Sequence, residues 1–193
     1  MEFLSIDEWV RRLGAILGKE FTAAQVPEFT ARNAILPETL SPYLFYSEDR
    51  YTRNLIYKCS RFEVIAICWE VGQKSPPHNH GDQNCWMVAP IGKLRVQNFR
   101  VIKRDSIRTR CEVIATDSYD MDADHPALVE TEEPVHQVLN LSAFGERATS
   151  VHIYSLPYSS CEVYDPERGT YSDVALRYSS EYGKLSRYEE QHV

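Results

Sequence analysis

Two of the six histidines lie two residues apart in one stretch, Gly72-Gln73-Lys74-Ser75-Pro76-Pro77-His78-Asn79-His80. It follows the apolar run Phe62 to Trp69, which is typical of a buried β-strand. On a strand, residues i and i+2 lie on one face with Cα atoms about 6.6 Å apart, so both imidazoles can bind one metal ion. Gly72 and the pair Pro76-Pro77 make the connection into this strand turn-like and stiff, which would hold the histidines in place. The alternative is two unrelated surface histidines.

Length and charge exclude several classes of protein. The chain has 193 residues, enough for one domain with a sizeable core, and its 43% hydrophobic and 25% charged residues are ordinary for a soluble globular protein. The net charge is −7 and no Lys or Arg run is present, which argues against nucleic acid and anionic membranes as partners. No apolar stretch approaches the roughly 18 residues of a membrane span.

The expected compartment is the cytoplasm. Residues 1–5 lack the basic start and apolar core of a signal peptide. The five cysteines are scattered without a CxxC motif, which favours free thiols in a reducing compartment over a disulfide framework. We also expect the protein to be a monomer.

The N-terminal part is predicted to be helical. Residues 3–18 carry an apolar stripe at helical spacing, with Ser5 and Glu8 as a capping box and Gly18 as the end. A weaker helix is predicted over residues 22–33, where Pro27 interrupts the pattern. Pro37 and Pro42 bracket a short turn or helix.

From about residue 45 the sequence predicts a mostly β fold, an antiparallel sandwich or barrel. The whole chain is expected to be one domain, with a helical part (1–44), a β-barrel (45–178) and a tail (179–193) that forms a surface helix or a loosely held end. The predicted strands are 51–58, 62–70, 84–90, 93–102, 109–116, 127–131, 135–141, 149–155, 160–164 and 170–178.

Strand alternation groups the remaining polar candidates. In 51–58, Tyr51 and Arg53 share a face with Leu55 and Tyr57, so an inward Arg53 would need an anion. In 135–141, His136 shares a face with Val138 and Asn140, and in 149–155 one face carries Ser150, His152 and Tyr154. Taken singly, each is more simply a core or surface residue; their joint occurrence on neighbouring strands favours a site.

These residues carry a resemblance to a known family. Gly72-x5-His78-x-His80-x4-Cys85-x6-Gly92 resembles the first motif of the cupin superfamily, and His136-x3-Asn140 resembles the second. Cupins usually have glutamate in place of Cys85. The cysteine at this position, together with the segments 51–55 and 150–155, resembles the cysteine dioxygenase family. The resemblance extends over roughly residues 45 to 165. The segment 132–134, Glu-Glu-Pro, lacks the glycine usual in the second motif.

The resemblance implies a jelly-roll β-barrel with N-terminal helices packed on it, and an Fe(II) ion held by His78, His80 and His136. It implies oxidation of L-cysteine with O₂ to cysteine sulfinate. The implied substrate-binding residues are Arg53, which can hold a carboxylate bidentately, and Tyr51. The implied catalytic residues are Tyr154, His152, which orients it, Ser150, and Cys85, which forms a thioether with Tyr154.

Two alternatives stay open. The first is a dioxygenase for another small thiol such as 3-mercaptopropionate or cysteamine. Arg53 argues against cysteamine, which has no carboxylate, and relatives that prefer 3-mercaptopropionate have glutamine in this role. The second is a non-catalytic cupin that binds a metal or small acid as a sensor, which would not need Cys85 and Tyr154 together.

Overall fold

The computed structural model describes residues 1–16, 24–81, 83–129 and 135–186. No helix in these ranges is both long enough and apolar enough to cross a membrane. The helices within the described ranges are α1 (Ile6–Ile16), α2 (Gln25–Arg32) and two 3₁₀ helices (Pro37–Tyr43 and Ser142–Phe144). The strands are β1 (Glu2–Leu4), β2 (Asn33–Ile35), β3 (Thr52–Lys58), β4 (Glu63–Trp69), β5 (Cys85–Ile91), β6 (Leu94–Asp105), β7 (Arg110–Met121), β8 (Ala127–Val129), β9 (Val135–Leu139), β10 (Ala148–Tyr154), β11 (Ser160–Asp165), β12 (Thr170–Ala175), β13 (Ser180–Glu181) and β14 (Lys184–Leu185).

Two sheets form the body of the molecule, as the predicted jelly roll requires. The larger has the order β14-β13-β3-β4-β10-β5-β8 and the smaller the order β11-β12-β7-β6-β9. Among the described residues the sheets remain separate rather than closing into one ring of hydrogen-bonded strands. Every strand predicted from the sequence between residues 51 and 178 corresponds to one of β3 to β12.

The main core lies between the two sheets. Leu55, Ile65 and Met87 from the large sheet pack in one cluster with Val96 and Val138 from the small sheet. In each of these strands every second side chain faces this interior. Polar residues at those positions are therefore buried together with the apolar ones. The candidate site lies among these inward-facing positions.

The outer face of the large sheet is buried as well, beneath the N-terminal helices. Val64 and Ala66 of β4 and Val151 of β10 pack in one cluster with Trp9 and Leu13 of α1. Because both of its faces are covered, β4 is buried along its whole length. This explains why residues 62–70 read as a continuous apolar run rather than as an alternating one.

Helix α1 begins later than predicted. Residues Glu2–Leu4 form β1, which pairs in parallel with β2, and the helix starts at Ile6. Ser5 Oγ accepts a hydrogen bond from the Glu8 N–H (3.3 Å), as a capping box requires, but the Glu8 carboxylate pairs with Arg11 and Arg12 instead of returning to residue 5. The predicted end at Gly18 lies outside the described residues.

Helix α2 is shorter than the predicted span of 22–33. It covers Gln25–Arg32, and Thr22 lies outside the described residues. Pro27 is the third helical residue, where the backbone N–H has no intrahelical partner, so the helix accommodates it. The segment between Pro37 and Pro42 is part of a 3₁₀ helix.

The C-terminal segment corrects another prediction. Its described part, residues 179–186, is neither a surface helix nor a loose end, because Ser180–Glu181 pairs in parallel with β3 and in antiparallel with Lys184–Leu185. Tyr182 and Gly183 join the two short strands, and both have positive φ (52° and 79°), as a type I′ hairpin turn requires. Residues 187–193, including His192, lie outside the described ranges.

Candidate active site

The segment that carries His78 and His80 is extended but is not the regular strand predicted from the sequence. His78 pairs through isolated bridges with His136 of β9 and Val163 of β11. Pro76 and Pro77 have no N–H to donate, which limits regular pairing in this segment. The His78 N–H donates to the His136 carbonyl (2.9 Å) and the His136 N–H to the His78 carbonyl (3.0 Å). This reciprocal pair places the two ligand-bearing chains side by side.

The three histidine rings form a triangle in the interior. The ring centroids are 5.2 Å apart for His78 and His80, 4.7 Å for His78 and His136, and 4.8 Å for His80 and His136. Each pair of rings is nearly perpendicular, with interplanar angles between 76° and 88°. One nitrogen from each ring lies within 4.8 Å of the others, so together they could hold one metal ion.

The unpaired ring nitrogens fit a metal site. His80 and His136 are buried, and both nitrogens of each ring lack a hydrogen-bond partner in the described structure. His78 Nδ1 bonds to the Pro76 carbonyl (2.9 Å), which leaves its Nε2 as the ligand atom. Buried polar atoms without partners are costly, and a shared metal ion would satisfy one nitrogen of each ring.

Burial keeps the imidazoles in the state that a metal requires. It lowers the pKa of His78 to about 4, and the pKa values of His80 and His136 fall well below 6.5. The positive charge of Arg53 adds to the lowering for His78 and His80. All three are therefore neutral near pH 7, and a neutral imidazole is the ligand form.

Arg53 projects from β3 into the same interior. Its Nε and Nη2 atoms are buried and lack hydrogen-bond partners among the described residues. Its charge acts on the hydroxyls of Tyr51, Tyr154 and Tyr158, and burial raises the pKa of each of these phenols. The site thus offers a guanidinium and protonated hydroxyls, a set suited to a carboxylate.

Tyr51 is fixed against the core. Its ring stacks on Trp69 with centroids 4.6 Å apart and planes 25° apart. Leu55 shares the inward face with Arg53 as predicted, but Tyr57 does not. The register between β3 and β4 shifts between Leu55 and Tyr57, and this bulge turns Tyr57 outward, where it is 38% exposed.

Ser150, His152 and Tyr154 form a buried hydrogen-bonded chain along β10. Ser150 Oγ lies 2.8 Å from His152 Nε2, and the Tyr154 hydroxyl lies 3.2 Å from His152 Nδ1. The Trp69 indole N–H donates to Ser150 Oγ (3.0 Å) and anchors the chain at its far end. Burial holds the pKa of His152 well below 6.5, so its ring is neutral.

Cys85 lies opposite Tyr154 in the pairing of β5 with β10. Its sulfur is 3.9 Å from His152 Nδ1, and the residue is fully buried. Burial raises the pKa of the Cys85 thiol above its usual range, so the sulfur is protonated rather than a thiolate ligand.

Sequence reasoning missed two residues of this interior. Trp69 ends an apolar run and gave no sign of its polar contact with Ser150. Tyr158 lies in the connection between β10 and β11, where strand alternation gives no information, yet its ring packs 4.9 Å from that of Tyr154 and 6.1 Å from that of His80. His125 lies outside this interior: its side chain is exposed and pairs with Asp122 (2.7 Å).

Comparison with known proteins gives matches to one family. A family model described as "Cysteine dioxygenase type I" matches residues 10–167. The chain is 27% identical over 157 residues to cysteine dioxygenase type 1 of Danio rerio, covering 79% of this chain and 75% of the relative. It is 26% identical over 167 residues to the Bos taurus protein of the same name (86% and 81% covered) and 28% identical over 148 residues to that of Rattus norvegicus (76% and 72% covered).

Proposed function

Because the chain belongs to the cysteine dioxygenase type I family, we propose that it is an Fe(II)-dependent thiol dioxygenase that oxidises L-cysteine to cysteine sulfinate. One observation carries the proposal: three neutral imidazoles with unpaired nitrogens share an interior with a guanidinium whose Nε and Nη2 are also unpaired. A thiol that also bears a carboxylate satisfies both. In the overall reaction the thiolate and O₂ combine, and both oxygen atoms end on sulfur.

His78, His80 and His136 would hold the metal. Three neutral imidazoles leave the full +2 charge of a divalent ion, which favours an anionic thiolate ligand more than a site with a carboxylate would. Imidazole ligands also suit Zn, Ni and Cu, so the metal is identified by analysis of the purified protein rather than by the ligand set. Fe(II) bound there supplies the redox chemistry that lets O₂ react with a thiolate.

Arg53 would bind the substrate carboxylate. Its planar fork matches a carboxylate with two parallel N–H···O bonds, and the protonated Tyr51 hydroxyl can add a third donor. The same contact selects among thiols: L-cysteine and 3-mercaptopropionate have the carboxylate, and cysteamine lacks it.

The Ser150–His152 pair would hold Tyr154 in position. With the Trp69 N–H donating to Ser150 Oγ, the Ser150 hydroxyl can donate to His152 Nε2, which places the His152 proton on Nδ1 facing the Tyr154 oxygen. The Tyr154 hydroxyl is then free to donate its proton to substrate. Burial keeps this phenol protonated, as that role requires.

The competing functions make fewer demands on the site. A metal-binding sensor would need the three histidines, but not a buried chain that orients a tyrosine opposite a cysteine.

None of the five cysteines forms a disulfide, which supports a reducing compartment for the enzyme.

Oxygen consumption by the Fe(II)-loaded protein tests the proposal, with L-cysteine, 3-mercaptopropionate and cysteamine assayed in parallel and the products identified by mass. We expect uptake with L-cysteine that ends in the sulfinate. A preference for 3-mercaptopropionate would retain the reaction class but contradict the assigned substrate. No uptake with any thiol, in a protein shown to hold iron, would favour the sensor.

A further inference from the structure

Asn79, which lies between two of the histidines of the proposed metal site, is bound to Glu162 on β11 by three hydrogen bonds. The Asn79 N–H donates to the Glu162 carbonyl (3.1 Å), and the Glu162 N–H donates to Asn79 Oδ1 (3.0 Å). The Asn79 side-chain amide also donates to Glu162 Oε2 (3.0 Å). Backbone and side chain of the histidine-bearing segment are thus both fixed to one residue.

Glu162 is itself held in place by two other side chains. Arg104 on β6 binds both of its carboxylate oxygens, through Nη1 to Oε2 (2.9 Å) and through Nη2 to Oε1. The Tyr164 hydroxyl donates to Oε2 (2.8 Å), and the Arg104 guanidinium lies 4.2 Å from the centre of the Tyr171 ring. The Glu162 side chain is only 18% exposed, so this is a partly buried ion pair in a network rather than an isolated surface pair.

The orientation of the histidine-bearing segment depends on the contact between Asn79 and Glu162. Metal-binding imidazoles are usually oriented by a hydrogen bond from the second ring nitrogen. His78 has such a bond to the Pro76 carbonyl, but His80 has none among the described residues. The orientation of His80 therefore depends on its backbone, and Asn79 is the preceding residue.

We propose that Glu162, held by Arg104 and Tyr164, is a positioning residue for the metal centre and fixes His78 and His80 through Asn79. The segment is fastened on both sides: the reciprocal backbone pair joins His78 to His136, and Glu162 joins Asn79 to β11. The inference rests on the metal site of the proposed function. Loss of the side-chain contacts of Glu162 should lower metal affinity about 10- to 100-fold, the usual effect of losing a residue that orients metal ligands.

The test titrates Co²⁺ into the metal-free full-length chain and follows the visible absorption of the bound ion, which reports both affinity and ligand geometry. Glu162→Gln removes the charge that Arg104 binds, and we expect a Kd for Co²⁺ at least 10-fold higher with an altered spectrum. Asn79→Asp places a second carboxylate against Glu162 and should weaken binding further. In the double variant Asn79→Asp/Glu162→Gln, the new amide can donate to the new carboxylate, and we expect part of the affinity to return.

Asp120→Asn is the matched control, because it breaks an ion pair with Arg95 across β6 and β7 that does not contact the histidine segment. It should leave the Kd unchanged. Thermal unfolding of each metal-free variant separates positioning from stability. A lower Tm for Glu162→Gln with wild-type Co²⁺ affinity and spectrum would overturn the proposal. If Asn79→Asp does not fold, the result for Glu162→Gln alone decides between the two outcomes. Failure of the wild-type chain to bind one equivalent of Co²⁺ would instead overturn the metal site itself.

Discussion

Cys85 and Tyr154 are directly opposed residues on the hydrogen-bonded strands β5 and β10, and both are buried in the interior beside His152. Opposed residues in an antiparallel pair have Cβ atoms about 4.5 to 5.5 Å apart, within reach of a bond between sulfur and a tyrosine ring carbon. Such a bond removes one hydrogen from each residue, and O₂ accepts both. We expect the intact mass to fall by two hydrogens after turnover with iron and L-cysteine.

The Cys85→Ser variant should show no such loss of mass. Cys161→Ser is the matched control, since Cys161 is also a buried thiol but is not paired with Tyr154. If Cys85→Ser still lost two hydrogens, the bond would have to involve another residue.

Replacement of Arg53 should impair substrate binding rather than metal binding. In Arg53→Ala the carboxylate of L-cysteine should lose a bidentate, charge-assisted contact of about 1.5 to 3 kcal/mol, so kcat/KM should fall about 10- to 150-fold. Most of the change should be in KM. Steady-state oxygen consumption measures this, with metal content determined on the same samples.

Cysteamine provides the internal control for Arg53, because it has no carboxylate for the guanidinium to bind. Its turnover should not fall in Arg53→Ala. Arg53→Lys keeps the charge without the planar fork and should recover only part of the affinity for L-cysteine. An unchanged KM for L-cysteine in Arg53→Ala would remove Arg53 from the substrate site.

The sequence predicted the parts of this fold that depend on local signals. Strands β3 to β12 were found because alternation, the continuous apolar run of β4 and the turn residues between strands are local signals that mark each strand separately. Strand β13 was missed because it has two residues and depends on pairing with β3, far away in sequence. Strand β1 was missed because it has three residues and depends on pairing with β2, far away in sequence.

The candidate site shows the same limit. Alternation along β10 placed Ser150, His152 and Tyr154 on one face, which is where the structure has them. Tyr158 was not predicted to lie in the site because the connection that carries it has no strand periodicity. The outward orientation of Tyr57 was not predicted because it results from the bulge in β3. That bulge depends on how β3 pairs with β4, and the sequence of β3 alone does not specify this pairing.

Removal of His136 should abolish stoichiometric metal binding. The residue is fully buried and offers one of the three nitrogens that could hold a metal ion, and neither nitrogen of its ring has a hydrogen-bond partner in the described structure. His136→Ala leaves two ligands, and we expect iron far below one equivalent after dialysis, measured by elemental analysis. His125→Ala is the control, because that imidazole is exposed and pairs with Asp122. Retention of one equivalent by His136→Ala would mean that the third ligand is another residue.

Acid should destabilise the metal-free protein through its buried histidines, and His152 gives the clearest case because it is not a proposed ligand. Burial, aided by the charge of Arg53, holds its folded-state pKa well below the unfolded value of about 6.5. Below pH 6.5 the unfolded chain therefore binds more protons than the folded chain. Its contribution to stability is fully present above that pH and is lost as the pH falls toward the folded-state pKa.

His152→Gln removes this group, so its free energy of unfolding should depend less on pH, by up to about 1.4 kcal/mol per pH unit below pH 6.5. Urea unfolding of the metal-free wild type and variant at several pH values between about 7.5 and 5 measures the difference. Parallel curves for wild type and His152→Gln would mean that His152 takes up its proton equally in the folded and unfolded states. That outcome would contradict a neutral His152 as the residue that orients Tyr154, since a protonated ring would donate from both nitrogens and could not accept from Ser150.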